Sequence, residues 1–588
     1  MSVDKEKEYR YSIISYICAA VITTLLYLIA GHFFRFYYDL NDDVLIKDIL
    51  SGAYTGTPDA HNIQMLYPLA WIFKVLYGIH PNVPWFGMLE IGMMWLCIIL
   101  LLGRTQFLLM CNIERRVWRV LAIIGLYICE TAYGVGTQFW EFFMIQYTVV
   151  CGMMVMTAAF LLFTGKSFDV YENVVPIVLL LLAFNLRSEM FLLFSPFLAV
   201  VIISGWISEG FDAETNKRNI IFIAIVICGL IISLIINSVA YRSDDWKEFN
   251  RLFKARTTVY DFTGIPSYEE NRTLYDSLHM DKDDHDRLED YNYVLTYAAN
   301  ASSMEKIAQY ASEHNLKKKT AAYAVFEVLI DMIRWKTPSQ KEALTDHGSV
   351  FMEEGAKLHI PNNMIIIVLY ILAVIAAIYA KDIKWAYTLP FFLLVRIVDW
   401  GYLSYKDRIN ARVAHPLYLM ECAMLVGVLL VAWAESNYSS QIVRKRISVL
   451  LTVVFVISGL IDAMFIPSAV HDVKDKSALR EQKNSMADAL YAYTSENPRT
   501  YYLIDVYSTV DFTEQIFGDD VHKKGNTQLA GGWAALSPLD TYKQSYYQDT
   551  DEWMFITAFE NTEVKPADEI KNENDDTIFY VYYVKDIR

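Results

Sequence analysis

Cysteine is scarce in this sequence and poorly placed for cross-linking. The 588 residues include Cys18, Cys97, Cys111, Cys129, Cys151, Cys228 and Cys422. Six lie in apolar segments and Cys111 lies in a basic loop, so neither large polar region holds a disulfide framework. No Cys/His spacing follows a zinc-site pattern. Basic charge is also short: 51 Lys and Arg stand against 67 Asp and Glu, a net charge of −16 that comes mostly from the polar regions. Nothing basic and extended is present to meet phosphates, which argues against nucleic acid as a partner. No internal repeat is evident.

Apolar sequence, by contrast, is abundant. The hydrophobic fraction is 54% and mean hydropathy is positive. That overrides the several soluble domains that length alone suggests. Tyr11 to Gly31 carries no charge and is flanked by Lys5, Lys7 and Arg10. About 20 apolar residues cross a bilayer, and a secretory signal core is shorter, so this stretch reads as an uncleaved anchor. Ten further segments follow: Trp85–Leu102, Val120–Gly136, Phe142–Phe163, Val174–Leu186, Met190–Trp206, Ile220–Ala240, Met364–Ala380, Trp385–Leu403, Val413–Trp433 and Ile447–Ile466. Val174–Leu186 is short and is expected to form a hairpin with its successor.

Lys and Arg collect in short cytoplasmic loops. Arg104, Arg115, Arg116 and Arg119 make one such loop. Lys217–Arg218, Lys381 with Lys384, and Arg444–Arg446 make three more. A cytoplasmic N-terminus puts all four inside and the C-terminus outside. Ile63–Ile79 is apolar enough to span, yet counting it flips the Arg-rich loop outward, and it contains Lys74. An amphipathic helix lying on the outer surface resolves both problems.

The expected fold is therefore mainly α: a polytopic membrane protein with about 11 transmembrane helices. Residues 1–240 form a core whose first outer loop, 33–84, carries surface helices. Residues 241–363 form a large outer loop, with helical patterns at Met304–His314 and Ala321–Trp335. Residues 364–466 supply the last spans. Residues 467–588 make a small outer α/β domain, with strand-like runs at Tyr501–Val506 and Thr577–Val584 and a helical one at Ser477–Ser495. About 120 residues suffice for such a domain. The expected location is a plasma membrane of bacterial type.

The first outer loop reads Tyr37-Tyr38-Asp39-Leu40-Asn41-Asp42-Asp43-Val44-Leu45-Ile46-Lys47-Asp48. Carboxylates at a helix start complement its positive end, and Asp42 and Asp43 could simply do that. A carboxylate at a membrane surface could equally take a proton from an acceptor hydroxyl. The surrounding order resembles the polyprenyl-phosphate-sugar-dependent glycosyltransferases of the GT-C superfamily. There a first span leads to an outer acidic pair, then to surface helices that often begin "PPL-Y", then to a second span ending in Gly-Arg. Asp42-Asp43 match the pair, Leu66-Tyr67-Pro68-Leu69-Ala70-Trp71 looks like the surface helix, and Leu101-Leu102-Gly103-Arg104 looks like the end of the second span. The motifs cover about the first hundred residues and the architecture covers the rest. A single proline stands where the family often has two, and the large mid-chain loop is not a general family feature.

Other residues fit a lipid-phosphate donor. Arg187 and Glu189 sit at a predicted outer turn, where Arg could grip phosphate oxygens bidentately or pair with Glu189. Glu90, inside a predicted span, could neutralise a neighbouring Arg or line a polar cavity. The stretch from Lys406 to Pro416, with Arg408, Arg412 and His415, is the most basic short outer loop, against the inside-positive trend. It suits a phosphate clamp, or else its Arg residues pair with the acidic outer domains. Glu141 and Glu130 could be second carboxylates or interfacial caps. Tyr260 and Asp261, in Arg256–Tyr268, could meet a sugar through ring and carboxylate, or could pack. Asp281–Asp286 reads as a solvated turn.

The resemblance implies transfer of a sugar from a polyprenyl-phosphate donor to a glycan or lipid-linked acceptor at the outer face of the membrane lipid. Asp42 or Asp43 would be the base, and Arg187, Arg408, Arg412 and His415 the phosphate ligands. Glu141, Glu189, Tyr260 and Asp261 are the candidate substrate contacts. It implies no obligatory metal or other cofactor, and the acidic cluster leaves a divalent cation open. A polymerase or ligase using lipid-pyrophosphate glycans is the rival enzyme. A lipid-glycan transporter or flippase is the rival of another class, but no symmetrical pair of broken helices is evident.

Overall fold

The computed structural model describes residues 3–113, 115–137, 143–165, 167–314, 320–333, 362–380, 384–406, 408–435, 441–518, 524–545 and 552–587. The chain is mainly helical. Among the described residues seven helices are long and apolar enough to cross a membrane: Glu6–Phe33, Trp85–Asn112, Tyr147–Thr164, Ser188–Glu209, Ala213–Ala240, Asn363–Ala380 and Ala411–Glu435. Their lateral surfaces explain the composition. Ala213–Ala240 exposes Ile220, Ile231, Ile235 and Val239, an apolar stripe too continuous for water. Tyr147–Thr164 is buried nearly all round and forms the bundle centre.

Seven of the eleven expected spans coincide with these helices. The other four fall within helices Arg116–Thr137, Val174–Leu186, Trp385–Lys406 and Gln441–Glu496. Val174–Leu186 has 13 residues, about 20 Å of helix, against a hydrocarbon core of about 30 Å. Trp385–Lys406 carries Arg396 and Asp399 within it. Arg396 is fully buried on Glu421 and Asn363, and the Trp400 indole donates to Glu421 Oε1 at 2.6 Å, so the Arg396 charge is paired inside the bundle. Ile447–Ile466 and Ser477–Ser495 were expected as a span and a separate domain helix. They are instead one helix, Gln441–Glu496, that runs through Pro467 and is 56 residues long.

The loop at residues 33–84 folds into short helices, as expected. Tyr37–Tyr38 (β1) pairs in parallel with Met144–Ile145 (β2), just ahead of Tyr147–Thr164. Asn41–Ser51 follows as a helix, with Asp42 and Asp43 in its first turn. The surface segment is helical over Tyr67–Ile79, with Pro68 in its first turn, where a missing N–H is harmless. The Leu66 N–H donates to Asn185 O at 2.9 Å, which ties this helix to the Asn185–Arg187 turn.

The C-terminal region is α/β. Thr500–Ile504 (β3), Thr527–Leu529 (β4), Glu552–Thr557 (β5), Asp568–Lys571 (β6) and Thr577–Tyr583 (β7) form a mixed sheet of order β4-β3-β5-β7-β6. β3 is parallel to β4 and β5, and β7 is antiparallel to β5 and β6. β3 is buried on both faces, which is why it reads as a continuous apolar run. Tyr502 and Ile504 face Ala487 and Leu490 of the long helix. Tyr501 and Leu503 face the layer containing Leu295 of the large loop.

This region docks on the 33–84 loop through buried charge. Lys47 Nζ lies 2.5 Å from Glu514 Oε2 and 2.7 Å from Asp48 Oδ1, and Lys524 Nζ lies 2.5 Å from Asp48 Oδ2 and 2.8 Å from Glu514 Oε1. Arg480, on the long helix, donates to Asp39 Oδ1 at 2.9 Å and to the Tyr38 carbonyl at 3.1 Å. Ile516 packs on Gly87, where a Cβ would sit 2.3 Å from its Cγ2. Expected helices at Met304–His314 and Ala321–Trp335 are found at Ala301–His314 and Ala321–Ile333. The second is not a free element of the large loop: Glu327 accepts from Ser404 at 2.6 Å, against Trp385–Lys406.

Candidate functional site

Adjacent residues on a helix diverge by about 100°. At the head of Asn41–Ser51 that divergence sends Asp43 inward and leaves Asp42 at the opening. Asp43 is fully buried. Its Oδ1 accepts the Tyr147 N–H at 2.9 Å, one of the unsatisfied donors at the start of Tyr147–Thr164. Its carboxyl also faces that of Glu90, equally buried. Glu90 therefore does not neutralise an Arg, one of the roles open to it from sequence. Burial pushes Asp43 well above the ordinary carboxylate range, and Asp42 and Asp39 push the same way, against the Tyr147 amide. Asp43 thus favours the protonated acid, in a setting that holds the loop against two helices.

The Asp42 side chain keeps 24% of its surface. Its Oδ2 lies 3.3 Å from Arg412 Nη1, and its Oδ1 accepts the Trp533 indole N–H at 2.9 Å. Arg187 stands beside it: the guanidinium donates to Gln64, lies 5.2 Å from the Tyr147 ring centroid and approaches Glu189 at 3.4 Å. Tyr147 Oη donates to the same Gln64 oxygen at 3.1 Å. Arg408 lies 3.6 Å from Asp261 Oδ1. Burial pushes the Arg408 guanidinium down. Asp261 opposes this, and the positive charges of Arg412, Arg187 and Arg256 add to the lowering. Three guanidinium groups within electrical reach of Arg408 favour an anion among them.

The turn at Arg187, the 408–412 segment and the loop after the first long helix therefore meet at Asp42, Arg187, Arg408 and Arg412. Other expectations need correction. His415 is buried within Ala411–Glu435, and the charge acting on it is Lys476 rather than the Arg group. The Tyr260 hydroxyl donates to the Leu288 carbonyl at 2.8 Å, and its ring packs on Tyr291, which makes it a core residue of the large loop. Asp261 pairs with Arg408 rather than standing ready for a sugar, and Glu189 is largely exposed beside Arg187. Glu141 lies outside the described residues. The Asp281–Asp286 run starts a helix with a capping box between Asp281 and Asp284. His285, Asp286 and Glu289 are close together there, but His285 Nε2 already meets the Pro266 carbonyl at 3.0 Å.

Sequence reasoning gave Trp533 and Gln64 no role and did not single out Arg256. Nothing local marks them, because each joins the site through contacts far along the chain. Comparison with family models, curated proteins and solved structures finds no match to this chain.

Proposed function

We propose that the chain is a membrane glycosyltransferase that moves a sugar from a polyprenyl-phosphate donor to a glycan or lipid-linked acceptor at the outer face. The observation that carries this reading is the open Asp42 carboxylate set against Arg412, with Arg187 and Arg408 in electrical reach. Asp42 takes the proton of the acceptor hydroxyl as its oxygen bonds to the anomeric carbon. The bond from that carbon to the phosphate oxygen breaks, and the phosphate leaves with the electron pair. Arg187, Arg408 and Arg412 stabilise the charge on the leaving group. Asp43, buried and proton-bearing, is a positioning group and not the base. In the accompanying topology the four remaining apolar helices bring the spans to eleven, with the N-terminus inside and the C-terminal region outside.

The test is turnover of polyprenyl-phosphate sugars by the purified protein in lipid nanodiscs. General-base catalysis contributes about 10²–10⁴-fold, so Asp42→Asn should lower turnover by at least a hundredfold in a protein that still elutes as a folded species. Arg412→Ala should weaken donor use. Full activity in Asp42→Asn sinks the assignment.

A further inference from the structure

The C-terminal region does more than cover the bundle: it places a side chain on the proposed base. Trp533 is 491 residues from Asp42 in sequence, yet its indole N–H donates to Asp42 Oδ1 at 2.9 Å. The ring is 7% exposed and packs with Ala534 and Leu539 into the main core, so it is not a free platform for a sugar.

The backbone that delivers it is fixed from both sides. The Val294 N–H donates to the Ala530 carbonyl at 2.8 Å, and the Tyr293 hydroxyl donates to the Gly532 carbonyl. A Cβ at Gly531 would lie 1.7 Å from the Tyr291 carbonyl oxygen, and Gly532 has φ +94°. Only a Gly-Gly pair lets the chain pass so close to the large loop and turn there. Ala535 completes the large-loop core just beyond. The large loop thus grips residues 530–535, which hold Trp533, which holds Asp42.

A carboxylate has two oxygens and about four lone-pair sites. Arg412 occupies a site on Oδ2 and Trp533 one on Oδ1. Two donors from different elements fix the plane of the carboxylate and leave a lone pair on each oxygen for the acceptor proton. An indole suits this task because it only donates and cannot itself take the proton.

We propose that Trp533 is a positioning residue for the transfer reaction, supplied by the C-terminal region to orient the Asp42 carboxylate towards the acceptor hydroxyl. This rests on the transferase reading above. The full-length protein in nanodiscs is compared with Trp533→Phe, which keeps a ring and loses the N–H, and Trp533→His, which restores a ring N–H. A hydrogen bond to a charged group is worth about a tenfold factor or more. Trp533→Phe should lower kcat about tenfold with donor KM within about twofold, and Trp533→His should recover part of the loss. In parallel, Asp42 is labelled with a water-soluble carbodiimide and glycinamide and read by peptide mass spectrometry. Freeing Oδ1 should raise its labelling rate in Trp533→Phe and not in Trp533→His.

Equal loss of kcat in both variants with unchanged labelling overturns the proposal, since ring packing alone then explains the effect. Unchanged kcat in Trp533→Phe overturns it as well. Active Asp42→Asn with altered labelling in Trp533→Phe instead overturns the transferase assignment of Asp42 while the contact between the two residues stands.

Discussion

Glu514→Gln is the sharpest test of how the 33–84 loop and the C-terminal region are joined. Lys47, Asp48, Glu514 and Lys524 make a ring of alternating sign with no net charge, each side chain 2–12% exposed. Removing one carboxylate leaves an uncompensated buried ammonium group, and breaking a buried pair in this way costs about 3–5 kcal/mol. Lys47 and Asp48 sit on the 33–84 loop and the other two on the C-terminal region, so the loss falls on docking. Hydrogen exchange in nanodiscs should show β4 and residues 530–535 opening about 10²–10⁴ times more often, the factor matching that energy at about 1.4 kcal/mol per decade. The double variant Glu514→Gln with Lys524→Met restores neutrality and should lose clearly less than the single. Burial works against ionisation of Glu514, yet Lys47 and Lys524 hold its carboxyl far below its unfolded value of 4.5. Its contribution is therefore complete above about pH 4.5 and fades as pH falls below that. A single variant that loses less than about 1 kcal/mol, or a double that is worse than the single, refutes the reasoning.

Three further outcomes follow from the same contacts. Asp43→Asn should keep fold and turnover within about tenfold, because an amide can accept from Tyr147 and donate to Glu90 as the protonated acid does; thermal unfolding and transfer assays on one preparation decide this. Lys543, buried over the Tyr54 ring at 4.0 Å, is pushed down to about 7 by burial against the pull of Asp540. The unfolded chain holds that proton up to about 10.5, so stability should rise between pH 7 and pH 10. Lys543→Met should flatten that rise, read from melting curves taken across that range. Gly87→Ala should cost about 1–3 kcal/mol by overpacking against Ile516, with Ile516→Ala restoring part of it in the double variant.

Much of the helical framework was legible because a bilayer demands long apolar runs, and such runs are local. Trp85, Val174 and Trp385 begin helices at the residues where hydropathy placed them. The helix at Tyr67–Ile79 was legible too, as an apolar run of helical length. The sequence also flagged Asp42, Asp43, Arg187, Arg408 and Arg412, since charges between long apolar runs stand out against their surroundings. It could not rank the two aspartates, because neighbours in sequence have the same composition around them and differ only in which way a helix turns them. It overvalued Tyr260 and His415, whose ring and hydroxyl chemistry looks alike in a core and in a site. Strands β4, β5 and β6 escaped notice: β4 and β6 are short and mostly polar, and only the sheet gives them partners.

Tertiary structure alone decided what meets what. Glu90 faces Asp43, Arg256 bears on Arg408, and Trp533 reaches Asp42 across 491 residues. Hydropathy and charge placement are properties of a window of chain, so a sequence determines them by itself. The partner of a buried carboxylate is set by how helices, loops and sheet pack together, and packing depends on every element at once.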